Sequence, residues 1–172
     1  MSLDIPEILE LPNSTEDELR NLFHEKGWGD GLPMIAPTRH RVEEMLRACE
    51  SHDPDEVIAI LPPRSGIATR RIIAINAVMA GCKPEHLPVL VSAIRALNAP
   101  EINLRGINAT THCVAPLLIV HGKAVKDGNY NSGLGAFGPG NPANATTGRA
   151  IRLMLHHIAG AIPGVGDAST QG

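Results

Sequence analysis

Seventeen glycines and fourteen prolines constrain this 172-residue chain more than any other feature, because each interrupts regular structure. Together they make up about 18% of the residues, against an average of about 12%. They have no repeat period and gather between apolar segments, which predicts tight turns joining packed elements rather than disorder. A second constraint follows from the aromatic residues, which are only Phe23, Trp28, Tyr130 and Phe137. The core must therefore be aliphatic, built from Ile, Leu, Val, Ala and Met.

The segments between the breakers have readable periods. Ser14-Thr15-Glu16-Asp17-Glu18 is a hydroxyl cap followed by carboxylates that suit a helix dipole, with Leu19, Leu22 and Phe23 as the buried face and Gly27 as the stop. Trp28–Thr38 reads as a turn into an edge strand. Thr38 caps a helix carrying Val42, Met45, Leu46 and Cys49 on one face. Val57–Leu61 is a short apolar run, expected as a buried strand. A helix is predicted over Ala68–Ala80, then a corner at Gly81-Cys82-Lys83-Pro84 and an amphipathic helix through Leu87, Leu90, Val91, Ile94 and Leu97. Leu117–His121 is expected as a second buried strand. Asn141-Pro142 opens the last helix, whose face is Ile151, Met154, Leu155 and Ile158, and Gly160 and Pro163 end it. The fold class is thus α/β (or α+β), with about five helices on a small mixed sheet. An arm over residues 1–13 is expected to precede a single domain over 14–172, a length that fits one hydrophobic core.

Composition excludes several functions. The net charge is −3, and the densest basic clusters, Arg70–Arg71 and Arg39-His40-Arg41, form no stripe with aromatics between them, so nucleic acid is not the expected partner. No apolar run approaches the ~18–20 residues that span a bilayer, and the acidic N-terminus is not a signal peptide. Three cysteines at unrelated spacings read as reduced thiols in a cytoplasmic protein. The eight histidines include no His-x-x-x-His pair and there is no Cys-x-x-Cys, so neither a metal site nor a cofactor is expected.

Four places carry residues suited to chemistry. Gly133-x-Gly135-x-x-Gly138 matches a dinucleotide-binding fingerprint, but that motif must follow a strand and open a helix at once, whereas here the helix begins only at Pro142. More general is a glycine-rich loop entering a helix N-terminus, where free N–H groups and the macrodipole favour an anion. Asn141, Asn144, Thr146 and Thr147 would add neutral donors, and Arg149 would grip a carboxylate or phosphate. Asn108-Ala-Thr-Thr-His-Cys113 supplies a candidate general base in His112, with Thr110 and Thr111 as donors to a developing oxyanion and Asn108 as a further substrate-binding residue. Cys82, beside Lys83 at an expected helix N-terminus, has the setting of a lowered thiol pKa. Asp30, between two glycines, is either a turn residue or an active-site acid.

Five segments, WGDGLPMIAPT, AINAVMAGCKPEHLPVL, GINATTHCVAPLLIV, NSGLGAFGPGNPANATTGRAIRL and GAIPGVGDASTQG, resemble an uncharacterised bacterial protein family. Its members are associated with, or fused to, UGSC-type domains carrying a selenocysteine/cysteine-Gly-Ser-Cys motif. The resemblance runs from Trp28 to Gly172. It implies a thiol- or redox-linked context and places Asp30, Asn76, Cys82, Asn108, Thr110, Thr111, Asn131, Ser132, Asn141, Asn144, Arg149 and Gln171 on the family pattern. Cys113 stands where that pattern has proline. The chain has no Cys-Gly-Ser-Cys of its own, so the resemblance implies a second polypeptide that carries it. Longer members continue past the Ser-Thr-Gln-Gly motif, which supports the same expectation. The sequence therefore predicts an oligomeric enzyme subunit that binds a small anionic or carbonyl-bearing substrate, with the Asn108–Cys113 and Asn131–Arg149 segments converging on one pocket. The alternative is a non-catalytic partner or scaffold subunit of a heteromeric complex.

Overall fold

The computed structural model describes residues 9–11, 14–49 and 53–169; most of the arm expected over 1–13, and Gln171, lie outside them. The chain forms two compact units that divide between Pro33 and Met34.

In the first unit, α1 (Glu16–Glu25) starts at Thr15, whose hydroxyl accepts from the Glu18 N–H while the Glu18 carboxylate accepts from the Thr15 N–H at 2.7 Å. This reciprocal box satisfies donors that a helix start leaves open, and the Thr15 backbone bond holds the Glu18 carboxyl below its ordinary pKa. At the other end Gly27 turns left-handed at φ 65°. Its N–H donates to the His24 carbonyl, and the Trp28 N–H reaches back to the Phe23 carbonyl at 2.9 Å. The rings of Phe23 and Trp28 then meet edge to face at 6.2 Å, the apolar contact that accompanies such a cap.

The second unit is a small mixed α/β domain in which helices predominate. Its elements are α2 (Arg39–Arg47), β1 (Val57–Leu61), β2 (Gly66–Thr69), α3 (Arg70–Ala80), α4 (Leu87–Leu97), α5 (Leu104–Ala109), α6 (Lys123–Asp127) and α7 (Pro142–Met154). α3 is central and packs against α2, α4 and α7. It is apolar on most sides, as a helix enclosed by others must be, and Ile73, Ala74 and Ala77 have no exposed surface. Around them Leu87, Leu90 and Ile94 of α4 and Leu153 and Met154 of α7 complete an aliphatic core.

The predicted helix start at Ala68 is displaced by two residues. Thr69 accepts from the Ile72 N–H and caps α3, while Gly66–Thr69 pairs antiparallel with β1 in the register Ala59↔Ala68, Ile60↔Ile67 and Leu61↔Gly66. Gly66 is obligatory here, because a Cβ would lie 1.8 Å from the Ile158 carbonyl oxygen. β1 was expected to be buried throughout, yet it is buried only at Ala59 and Leu61 and exposes Val57 and Ile60. The two strands form the only sheet among the described residues, so no strand lies beyond them to cover that face. The arginines of the basic cluster fold back onto this hairpin: Arg70 pairs with Glu56, and Arg71 pairs with Asp55 through two bonds of 2.8 and 2.9 Å.

Three features were not legible beforehand. α5 and α6 have six and five residues, too few to show a period. α7 continues into a single π turn, Leu155–Ala159, closed by Gly160 in the left-handed region. The third is a correction. Leu117–His121, expected as a buried strand, belongs to no sheet, and Leu117 and Ile119 are 66% and 76% exposed. Periodicity alone cannot supply the neighbouring strand that burial requires. Among the described residues no helix is long and apolar enough to cross a membrane.

Candidate functional site

The Asn/Gly loop before α7 is held by its own amides. The Asn144 side chain donates to the carbonyls of Asn131 and Ala136 at 2.8 and 2.9 Å, and its oxygen accepts from the Asn131 N–H at 3.0 Å. Asn131 in turn donates to the Leu134 carbonyl and accepts from the Gly133 N–H. Asn141 caps α7 by accepting from the Asn144 N–H, and donates to the Asn129 carbonyl. Amides denser than capping alone requires thus have a structural use: they close a loop of fourteen residues, between Asp127 of α6 and Pro142 of α7, that has few side chains to pack.

The anion cradle expected at this helix start is correspondingly small. Pro142 has no N–H, that of Asn144 is taken by the cap, and that of Ala145 bonds to the Asn141 carbonyl. Arg149 is half-buried, and its guanidinium contacts the Met34 sulfur at 3.0 Å. Ser132 is exposed in the loop. What the loop does present is apolar. Two short turns, Ala136 N–H to Gly133 and Gly138 N–H to Gly135, project Leu134 and Phe137, which are 101% and 92% exposed.

Cys82 occupies a different environment from the one predicted. It follows the C-terminal end of α3, where Gly81 turns left-handed at φ 91° and the Cys82 N–H donates to the Ala77 carbonyl at 2.9 Å. The dipole end nearest the thiol is therefore negative, the sign that disfavours a thiolate. Burial pushes the thiol up to about 11, and hydrogen bonds with Thr146 and Thr147 only partly offset this. The reactive-thiolate expectation is thus opposed by both dipole and desolvation. Cys82 does border a cleft of about 190 Å³ shared with Arg41, Glu44 and Lys83.

Behind Cys82 lies a chain of polar groups from separate segments. The Thr147 hydroxyl bonds the Tyr130 hydroxyl at 2.9 Å, and the Tyr130 ring lies 5.5 Å from that of His86. His86 accepts from the Lys83 N–H at Nδ1 and bonds the Gly128 carbonyl through Nε2 at 3.1 Å, which fixes the neutral Nε2–H form. Burial lowers its pKa. Sequence reasoning did not single out Tyr130. The signal was Thr147, a polar residue four positions from Ala143 and from Ile151 on the buried face of α7. Further along, the Asn76 amide of α3 donates to the Ile72 carbonyl and its oxygen accepts from His157 Nδ1 at 2.6 Å.

The Asn108–Cys113 segment lies elsewhere. Asn108 is buried and donates to the Pro62 carbonyl at 3.3 Å, so it ties α5 to the hairpin turn. Thr110 accepts from the His112 N–H; Thr111, His112 and Cys113 are exposed. Thr110 and His112 line an open cavity of about 320 Å³ with Asn103, Ile102, Ile107 and Val114. Neither this cavity nor the Cys82 cleft is lined by the Asn131–Arg149 residues, so the expected convergence on one pocket is not found in either. Asp30, in the first unit, accepts from the Leu32 N–H at 3.1 Å, the usual bond of a carboxylate in a turn. Among the described residues no three His, Cys, Asp or Glu side chains gather as metal ligands would. Compared with family models, curated proteins and solved structures, the chain matches none of them.

Proposed function

We propose that this chain is a docking subunit of a heteromeric, thiol-linked assembly, with the loop before α7 as its contact surface. One observation carries the reading: the loop's amides bond inward to the loop itself, while Leu134 and Phe137 stand almost wholly in solvent. Holding two large apolar side chains outward on a braced loop has a hydration cost that only a covering partner removes. An aromatic anchor beside an aliphatic one is also the usual composition of an interface centre. The resemblance described above supports a Cys-Gly-Ser-Cys polypeptide as the partner, and three free cysteines support a reducing, cytoplasmic setting. In this reading the redox chemistry belongs to the partner.

The test is co-elution with a polypeptide of the Cys-Gly-Ser-Cys type that the resemblance implies. The wild-type protein is expected to shift to a joint peak, and the Leu134→Ser/Phe137→Ser variant to elute alone with an unchanged melting temperature. A wild-type protein indifferent to that chain overturns the reading. A second reading, a subunit binding a small anionic or carbonyl-bearing substrate, is favoured by the cavity where Thr110 and His112 meet.

A further inference from the structure

The segment Val114–Val120 is the least satisfied part of the fold. It lies in no helix, strand or turn, and the backbone of Ala115–His121 makes no hydrogen bond with any described residue. Its side chains are nonetheless those of a strand, and their exposure alternates: Leu117 66%, Leu118 36%, Ile119 76%, Val120 half-buried. Period two is the pleat of a β-strand. Unpaired apolar backbone of this kind is a template for strand addition.

We propose that this segment pairs antiparallel with the same segment of a second copy, about a two-fold axis through Leu118. The geometry of a strand selects this arrangement. Odd residues direct their N–H and C=O groups to one edge and even residues to the other. Pro116 has no N–H, so the even edge is broken and the odd edge, Ala115, Leu117, Ile119 and His121, is complete. Two odd edges meet only in registers that set odd residues against odd, and the axis at Leu118 places Leu117 opposite Ile119 twice. The four most exposed side chains then form one apolar cluster across the axis. No Asp, Glu, Lys or Arg occurs from Ile107 to Gly122, so self-pairing sets no like charges together. Each outer edge carries Pro116, which stops further addition at two chains rather than a fibre.

The ladder alone is smaller than a standard interface of about 800 Å² per partner. The apolar hollow against Val114 and Ile102 extends the surface at the end of the segment. A reversible, concentration-dependent dimer is therefore expected. This contact does not involve Leu134 or Phe137 and stands or falls independently of the docking surface proposed above.

The test is light scattering across a dilution series on the full chain, with two proline variants. Ile119→Pro removes a donor from the pairing edge and is expected to leave a monomer. Leu118→Pro removes one from the outer edge and is expected to dimerise within about threefold of wild type. Since the backbone of Leu118 and Ile119 makes no hydrogen bond with any described residue of the same chain, both are expected to keep the wild-type melting temperature. Should either fail to fold, Leu117→Arg/Ile119→Arg, which sets four cations at the axis, is expected to be monomeric. A wild-type protein that is monomeric at every concentration overturns the proposal, whether or not it binds a different chain. So does an Ile119→Pro variant, or a double arginine variant, that dimerises as wild type does, or a Leu118→Pro variant as monomeric as Ile119→Pro. A Leu134→Ser/Phe137→Ser variant that still dimerises leaves this contact intact and separates it from the docking surface.

Discussion

Replacing Asn144 by alanine separates a structural amide from a ligand-binding one. The side chain makes three hydrogen bonds in a half-buried setting, to the Asn131 carbonyl, the Ala136 carbonyl and the Asn131 N–H. A net value of about 0.5–1.5 kcal/mol for each, with some recovery as water reaches the freed groups, gives a loss of about 2–3 kcal/mol. For a domain of this size that is a fall in melting temperature of about 5–10 °C. Urea unfolding followed by circular dichroism would show it as a midpoint about 1 M lower at unchanged slope. Asn144→Asp sharpens the test, because it keeps the acceptor and the shape but turns an oxygen toward two carbonyls. It is expected to be at least as destabilised at pH 7. Repulsion raises the folded-state pKa of that carboxyl, so stability recovers as the pH falls and the acid regains one donor. Ser132→Ala, in the same loop but exposed, should stay within about 0.5 kcal/mol of wild type. An Asn144→Ala protein as stable as wild type would refute the reasoning and return that amide to the list of candidate substrate ligands.

Two further outcomes follow from the thiols and from His86. With burial holding the Cys82 thiol near 11, alkylation at pH 8 resolved by mass spectrometry should modify exposed Cys113 first and Cys82 last; Cys82 reacting first would restore it as a nucleophile. His86 has a folded pKa below its ordinary 6.5, so the unfolded chain takes up its proton first and stability is lost as the pH falls below about 6.5. His86→Gln should flatten that part of the profile, and an unchanged acid slope would show that the ring is not a neutral acceptor of the Lys83 N–H.

Where local chemistry sufficed, the sequence by itself determined the outcome. Thr15, Thr38 and Asn141 cap helices where a hydroxyl or amide precedes an apolar period, and Gly27, Gly81 and Gly160 end them in the left-handed region that glycine alone enters cheaply. The aliphatic core around α3 was legible for the same reason, since a helix apolar on most sides must be enclosed. Tertiary structure decided what depends on the neighbour. Cys82 adjoins the negative end of α3 rather than the positive end of α4, because a 3-10 turn at Pro84–His86 separates it from the latter. The asparagines read as a binding cradle because a sequence shows donors and acceptors but not their partners, and in the fold those partners are the loop's own carbonyls. Leu117–His121 has the composition of a buried strand, but burial needs a second strand beside it, and none among the described residues is placed there.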